Sequence, residues 1–200
     1  ITRSPRDAMT TSLAAGFADP VLDAQRCFRA VLEAMARPGR IHRAPALPEP
    51  PAPLGAAAAA VLLTLADADT PAWLDAGPAA AAWLRFHAGC PIVAAPAEAD
   101  FLLACGAPPA LADLSLGTEE EPHRSATLVI QVAALEEGAG WRLTGPGIEH
   151  VHRLLVEGLP PGFADAWAAN RALFPRGVDV VLCAGDRLAA LPRTTALEIG

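Results

Sequence analysis

The chain has 200 residues, 52% of them hydrophobic, and a formal charge of −7; all 15 basic side chains are arginine, and no lysine occurs. That length fits one domain with a sizeable core, and the negative balance argues against a general nucleic-acid binder, which needs many cations aimed at phosphates. Without lysine, Schiff-base chemistry through a side-chain amine and the phosphate-reaching lysine of a P-loop are both excluded.

The N-terminal stretch Ile1 to Ala15 is polar, carries Arg3 and Arg6, and has no apolar core of signal-peptide length. It is expected to be a flexible segment, residues 1–15, ahead of a single domain spanning 16–200, with Met9 a candidate for the original start. Asp19-Pro20 then opens the first helix, an N-cap carboxylate followed by a proline where its missing N–H costs nothing. Val21, Ala24, Phe28, Val31, Leu32 and Met35 follow helical spacing as its apolar face, and Arg37-Pro38-Gly39 closes it. Arg26, Arg29, Arg37, Arg40 and Arg43 make this the most basic part of the chain. It reads as a solvated face or as a match for an acidic partner or ligand.

Pro45 to Pro53 can be neither helix nor central strand and is expected as an extended link. Ala56 to Ala66, broken only by Thr64, is about half the length of a membrane span and predicts a buried helix; no membrane association is expected. Strand character follows at Thr70 to Leu74, a helix at Ala79 to His87, and short buried strands at Pro91 to Ala95 and Phe101 to Ala104. Helices interleaved with continuously apolar strands indicate a sheet covered on both faces, an α/β layer architecture.

Beyond Gly117 the pattern favours strands at Ala126 to Ala134, Gly140 to Leu143 and Val151 to Val156. Leu135 to Ala139 reads as a polar link of hairpin length, which predicts an antiparallel section. Phe163, Ala166, Trp167, Asn170 and Phe174 mark an amphipathic helix within Pro161 to Phe174. Pro175-Arg176-Gly177 ends it, ahead of a buried strand at Val178 to Cys183.

Chemistry-bearing groups are scattered. Cys27, Cys90, Cys105 and Cys183 have no metal-knuckle spacing and read as buried hydrophobes of a reducing cytoplasm. His150 and His152 would share one face of a strand, but with His123, His42 or a carboxylate needed from elsewhere they do not define a metal site, and none is expected. Glu119, Glu120 and Glu121 read as a solvated loop. Gly145-Pro146-Gly147 is the most phosphate-like loop, but Pro146 has no N–H to donate, and on that ground a tight structural turn is the favoured reading. Arginines at element ends are the stronger ligand candidates, because guanidinium recognises carboxylate or phosphate with two prongs. The candidate binding set is therefore Arg124, Gly145, Gly147, Arg176, Arg193 and Thr194.

GFADPVLDAQRCFRAVLEAMARPGRI at Gly16 to Ile41, DADTPAWLD at Asp67 to Asp75, RFHAGCPIV at Arg85 to Val93 and GTEEEPHRSATLVIQV at Gly117 to Val132 resemble the PhnH family. So do LTGPGI at Leu143 to Ile148 and WAANRALFPRGVDVVLCAGDRLAALPRTT at Trp167 to Thr195, all in the family's order. This family is a subunit of the bacterial carbon-phosphorus lyase system for phosphonate catabolism. The resemblance implies a cytoplasmic protein with the fold of a truncated pyridoxal-phosphate-dependent transferase: a three-layer α/β/α sandwich with a mixed sheet, without the cofactor lysine and hence without covalently bound pyridoxal phosphate. It also implies a homodimer that joins other core-complex subunits in coupling alkylphosphonate to the ribose of a purine nucleoside triphosphate. No catalytic residue is carried over. A structural, assembly role is the favoured expectation, and a subunit whose Arg124, Arg176 and Arg193 hold triphosphate or phosphonate is the alternative.

Overall fold

Asp19 caps the first helix, α1 (Pro20–Ala36), by accepting the Leu22 amide on its carboxylate at 3.0 Å, and Pro20 fills the first helical position. The helix stops at Arg37, ahead of Pro38-Gly39, as the local signals predict. The computed structural model describes residues 14–47 and 49–199. Most of the expected flexible segment, with Met9, therefore lies outside the described residues, as does Pro48 of the proline link.

The buried face of α1 is not the expected one. Asp23, Cys27, Val31 and Ala34 face inward, and of the six predicted apolar positions only Val31 is buried. Phe28 is 51% exposed and Leu32 55%. The neighbour explains the rotation. Helix α2 (Ala56–Leu65) presents Ala57 to Ala60, all fully buried. Small residues on α1, Cys27 and Ala34, pack into the same core cluster and allow close backbone approach, whereas Phe28 and Leu32 would overfill it.

The remaining elements are β1 (His42–Arg43), β2 (Ala72–Leu74), α3 (Gly77–Ala88), β3 (Phe101–Ala104), β4 (Thr127–Gln131), β5 (Ala134–Thr144), β6 (His152–Glu157), α4 (Phe163–Arg171), β7 (Asp179–Ala184), β8 (Arg187–Leu191) and β9 (Ala196–Glu198). A six-stranded mixed sheet runs β1-β8-β7-β4-β3-β2, parallel from β7 to β2, with β8 and β1 added antiparallel. Leu103, Val129 and Val181 on one face meet α1, α2 and α3, including the fully buried Trp83. Leu102, Leu128, Ile130, Val180 and Leu182 on the other face meet a second sheet, β6-β5-β9, and α4 with Trp167. The fold is thus α/β with a mixed sheet, but the cover on this second face is largely an antiparallel sheet with one helix, not a layer of helices.

Three sequence expectations need correction. Pro91 to Ala95 is not a strand; it makes a single bridge, Ile92 to Ala72, because Pro91 and the turn into Pro96 leave no room for a ladder. Leu135 to Ala139 is not a hairpin link. It belongs to the 11-residue β5, which bulges between Glu137 and Trp141 as Gly138 and Gly140 take positive φ, and the antiparallel hairpin is β5 with β6. Phe174 lies past the end of α4 and is 63% exposed.

Among the described residues no helix is long and apolar enough to cross a membrane. All four cysteines are free. At the end of β3, burial and then the Asp75 carboxylate push the Cys105 thiol up to about 12, and burial also raises Cys27 and Cys183. Thiolate, not thiol, is the nucleophile, so Cys105 should alkylate slowly with iodoacetamide at pH 8. Asp75→Asn should speed that reaction, as read by peptide mass spectrometry. An unchanged rate would remove Asp75 as a cause.

Candidate functional site

In open α/β sheets ligands collect at the carboxyl ends of the strands, yet here those ends are tied shut. Asp75, following β2, accepts the amides of Cys105 at 2.6 Å and Gly106 at 3.0 Å past the end of β3. Gln131, ending β4, donates from Nε2 to the Pro53 carbonyl at 3.0 Å and accepts the Gly55 amide. A cleft of about 530 Å³ opens at the amino ends of the same strands. Thr70, Asp100, Phe101, Ser115 and Thr127 line it together with His123, Arg124 and Ser125.

A one-turn helix, Pro122–Arg124, supplies the basic wall of the cleft. Arg124 is mostly exposed, and its Nε lies 2.9 Å from Glu121, the last member of the acidic run. Ser115 donates its hydroxyl to the Arg124 carbonyl at 3.0 Å, and Leu116 bridges Ser125, so the wall is anchored from below. An arginine, a histidine and four hydroxyls can recognise an oxyanion through charge-assisted hydrogen bonds. Asp100, which also lines the cleft, could pair with an ammonium group on the same ligand. The amides of Phe101, Ser125 and Thr127 donate within the backbone, so no donor pair is free to form an oxyanion hole among them.

Behind this wall stands Arg193. Val180 of β7 pairs with Leu191 of β8, which brings Asp179 and Arg193 together just past the last pair. The guanidinium grips Asp179 with two prongs, Nε to Oδ1 at 3.1 Å and Nη2 to Oδ2 at 2.5 Å. Its backbone amide donates to the same carboxylate at 2.8 Å. The remaining donors reach the Pro122 carbonyl at 2.9 Å, the Pro175 carbonyl at 3.4 Å and the Ser125 hydroxyl. Both side chains of the pair are largely buried, at 13% and 17% exposure. Arg193 therefore holds protein rather than presenting a fork to solvent.

Arg176 follows Pro175 and precedes Gly177, whose amide donates to Leu116. The three candidate arginines thus gather around residues 115–125, with Arg124 on the cleft, Arg193 behind it, and Arg176 carrying a buried Nε that has no partner among the described residues. The candidate glycines lie elsewhere. Gly147 has φ +83, and a Cβ there would sit 2.1 Å from the Ala36 carbonyl, so this glycine lets the β5–β6 turn press on the end of α1. Gly145, at φ +131, closes on the Thr194 carbonyl, which also accepts from Arg171 at 3.4 Å. The loop is a packed turn whose glycines permit close backbone approach. His150 precedes β6 and is exposed, while His152 contacts the Gly39 carbonyl at 3.1 Å, so the two do not share a strand face. Among the described residues no group of three or more His, Cys, Asp or Glu is placed to hold a metal.

Asp179, Asp100, Ser115 and Thr70 did not stand out in the sequence. Only the β7–β8 register could have pointed to Asp179, as the acid opening the strand that pairs with the one before Arg193.

Fold and site together define a mixed-sheet α/β domain with a polar cleft at the amino ends of its parallel strands and an internal arginine–aspartate clamp behind it. Residues 15–198 match the family described as "Bacterial phosphonate metabolism protein (PhnH)", and the chain belongs to that family. It is 46% identical over 187 residues, 91% of this chain and 94% of the relative, to "Alpha-D-ribose 1-methylphosphonate 5-triphosphate synthase subunit PhnH" of Rhizobium meliloti (strain 1021). It is 43% identical over 101 residues, 50% of this chain and 52% of the relative, to "Putative C-P lyase subunit protein HtxG" of Stutzerimonas stutzeri.

Removing one partner from a buried ion pair leaves the other charge uncompensated, at a cost of about 3–5 kcal/mol. Arg193→Ala should therefore lower stability in urea by about 3 kcal/mol, and Arg193→Lys, which cannot reproduce the fork, should recover less than half. A change below about 1 kcal/mol would show that the clamp is not structural. At the turn, Gly147→Ala should cost about 2 kcal/mol or more from strain and collision, whereas Gly77→Ala, with open space around its Cβ, should cost only about 1 kcal/mol from φ alone. Equal losses in thermal melts would contradict the packed-turn reading.

Proposed function

We propose that this chain is a structural subunit of the carbon-phosphorus lyase system. It organises the multi-subunit assembly that couples an alkylphosphonate to the ribose of a purine nucleoside triphosphate. The observation that carries the reading is the 46% identity, across 94% of its length, to a protein named as a subunit of a ribose 1-methylphosphonate 5-triphosphate synthase. The geometry supports a structural rather than a chemical role within it. The candidate arginine with the best two-pronged geometry, Arg193, is spent on Asp179 and three further protein acceptors.

A cytoplasmic homodimer and a fold related to pyridoxal-phosphate-dependent transferases belong to the same proposal. The residues do not fit the covalent form of that cofactor: the chain has no lysine to form the internal link, and the only side-chain cations are guanidinium and imidazolium. A scaffold of that kind without its amine is suited to assembly.

The alternative, a subunit that holds triphosphate or phosphonate, rests on the cleft at His123, Arg124 and Ser125. Arg124→Ala is the variant that separates the two, since Arg193→Ala would damage the fold. The structural reading predicts stoichiometric co-purification with the other synthase subunits. It also predicts no phosphonate transfer by the isolated chain in ³¹P NMR, and no binding heat from methylphosphonate or ATP. Transfer by the isolated chain would overturn it, and heat that disappears in Arg124→Ala would establish the binding alternative.

A further inference from the structure

Four large apolar side chains stand exposed on one helix: Val21 at 73%, Leu22 at 48%, Phe28 at 51% and Leu32 at 55%. On α1 the spacing from Val21 to Phe28 to Leu32 places three of them in one row, and Leu22 starts a neighbouring row that continues through Arg26 and Arg29. The inward face of α1 is already satisfied by Cys27, Val31 and Ala34 against α2 and β8. The outward row, interrupted only by Gln25, is thus surplus to the core, and exposed apolar side chains grouped in this way mark interaction surfaces. We infer that the outer face of α1 is the docking surface for a different subunit, one that presents an apolar groove rimmed by carboxylates. This inference rests on the reading of the chain as a subunit and names the surface through which it assembles.

Charge selects the occupant. From α1 to β1 the chain carries Arg26, Arg29, Arg37, Arg40 and Arg43 against Asp23 and Glu33, in a protein whose total is −7. Arg26, Arg37 and Arg43 are paired with Asp23, Glu33 and Asp186, and Arg29 has no acidic partner among the described residues. A second copy meeting this face through a twofold axis would set the same patch against itself. That contact would bring the arginine rows together, and like charges across an interface are costly. Residues 1–13 are a poor cover for the same reason, since they bring Arg3 and Arg6 with a single carboxylate, Asp7. An acidic rim on another chain would pair Arg29 and release Arg26 from its helical neighbour, while the apolar row fills the groove as anchors.

The test co-expresses the full chain with the other synthase subunits and compares wild type, the Phe28→Glu/Leu32→Glu pair, and Arg29→Glu. Size-exclusion with light scattering reads incorporation, and circular dichroism melts check folding. Both variants are expected to melt like wild type and to keep the isolated chain's mass. The double variant should be incorporated at least tenfold less, and Arg29→Glu should weaken incorporation and flatten its salt dependence. Wild-type stoichiometry in both variants would overturn the docking surface while leaving the subunit reading intact. Failure of the wild type itself to join would overturn the subunit reading. A lower isolated mass in the double variant would assign the face to a second copy. Faster amide exchange in α1 on deleting residues 1–13 would assign it to the chain's own N-terminal segment. Either result would overturn the inference. Should the double variant melt early, Arg29→Glu alone decides, because it removes no buried contact.

Discussion

The Arg193–Asp179 pair fixes how the amino-terminal end of the main sheet is built. One guanidinium joins the first residue of β7, the segment following β8, the turn at Pro122–Arg124 and the turn at Pro175. These segments are far apart in sequence and have no ladder connecting them all. Ordering them costs conformational entropy, and a buried, two-pronged pair whose other donors are satisfied is among the few polar contacts able to offset it. The position of the cleft follows, since its basic wall hangs on Pro122 and Ser125.

That arrangement shapes the functional account. Guanidinium groups in phosphonate metabolism invite assignment as anion receptors, but a receptor needs donors left over for the ligand. Arg193 has none to spare, and Arg124 shares its charge with Glu121. Of the eight large apolar side chains left exposed among the described residues, four lie together on α1, on the far side of the main sheet from the second core cluster. An arginine clamp turned inward and an apolar group turned outward on α1 are the features on which the proposed structural role rests.

Local signals in the sequence were legible wherever one residue's own chemistry decides the outcome. Asp19-Pro20 caps α1, Arg37-Pro38-Gly39 ends it, and the alanine run at residues 56–65 is buried as its composition requires. Legibility failed where a partner decides. Two apolar rows compete on α1, and only the alanine surface of α2 selects the row with Cys27 and Ala34. The length of β5 depends on a bulge whose glycines look like a hairpin turn when read alone. Arg193 was visible in the sequence as one of several candidate ligand arginines at element ends, but its role depends on the β7–β8 register, which no local pattern reveals. The family resemblance was legible throughout, because it rests on long segments in order rather than on any single contact.

Hydrogen exchange of this chain, free and within the reconstituted synthase complex, tests the structural-subunit account most directly. The account predicts slowed exchange across Pro20–Ala36 on assembly, with the cleft segment at residues 115–125 unchanged when ATP and methylphosphonate are then added. Protection of that segment by the nucleotide and phosphonate, with α1 exchanging as in the free chain, would contradict it.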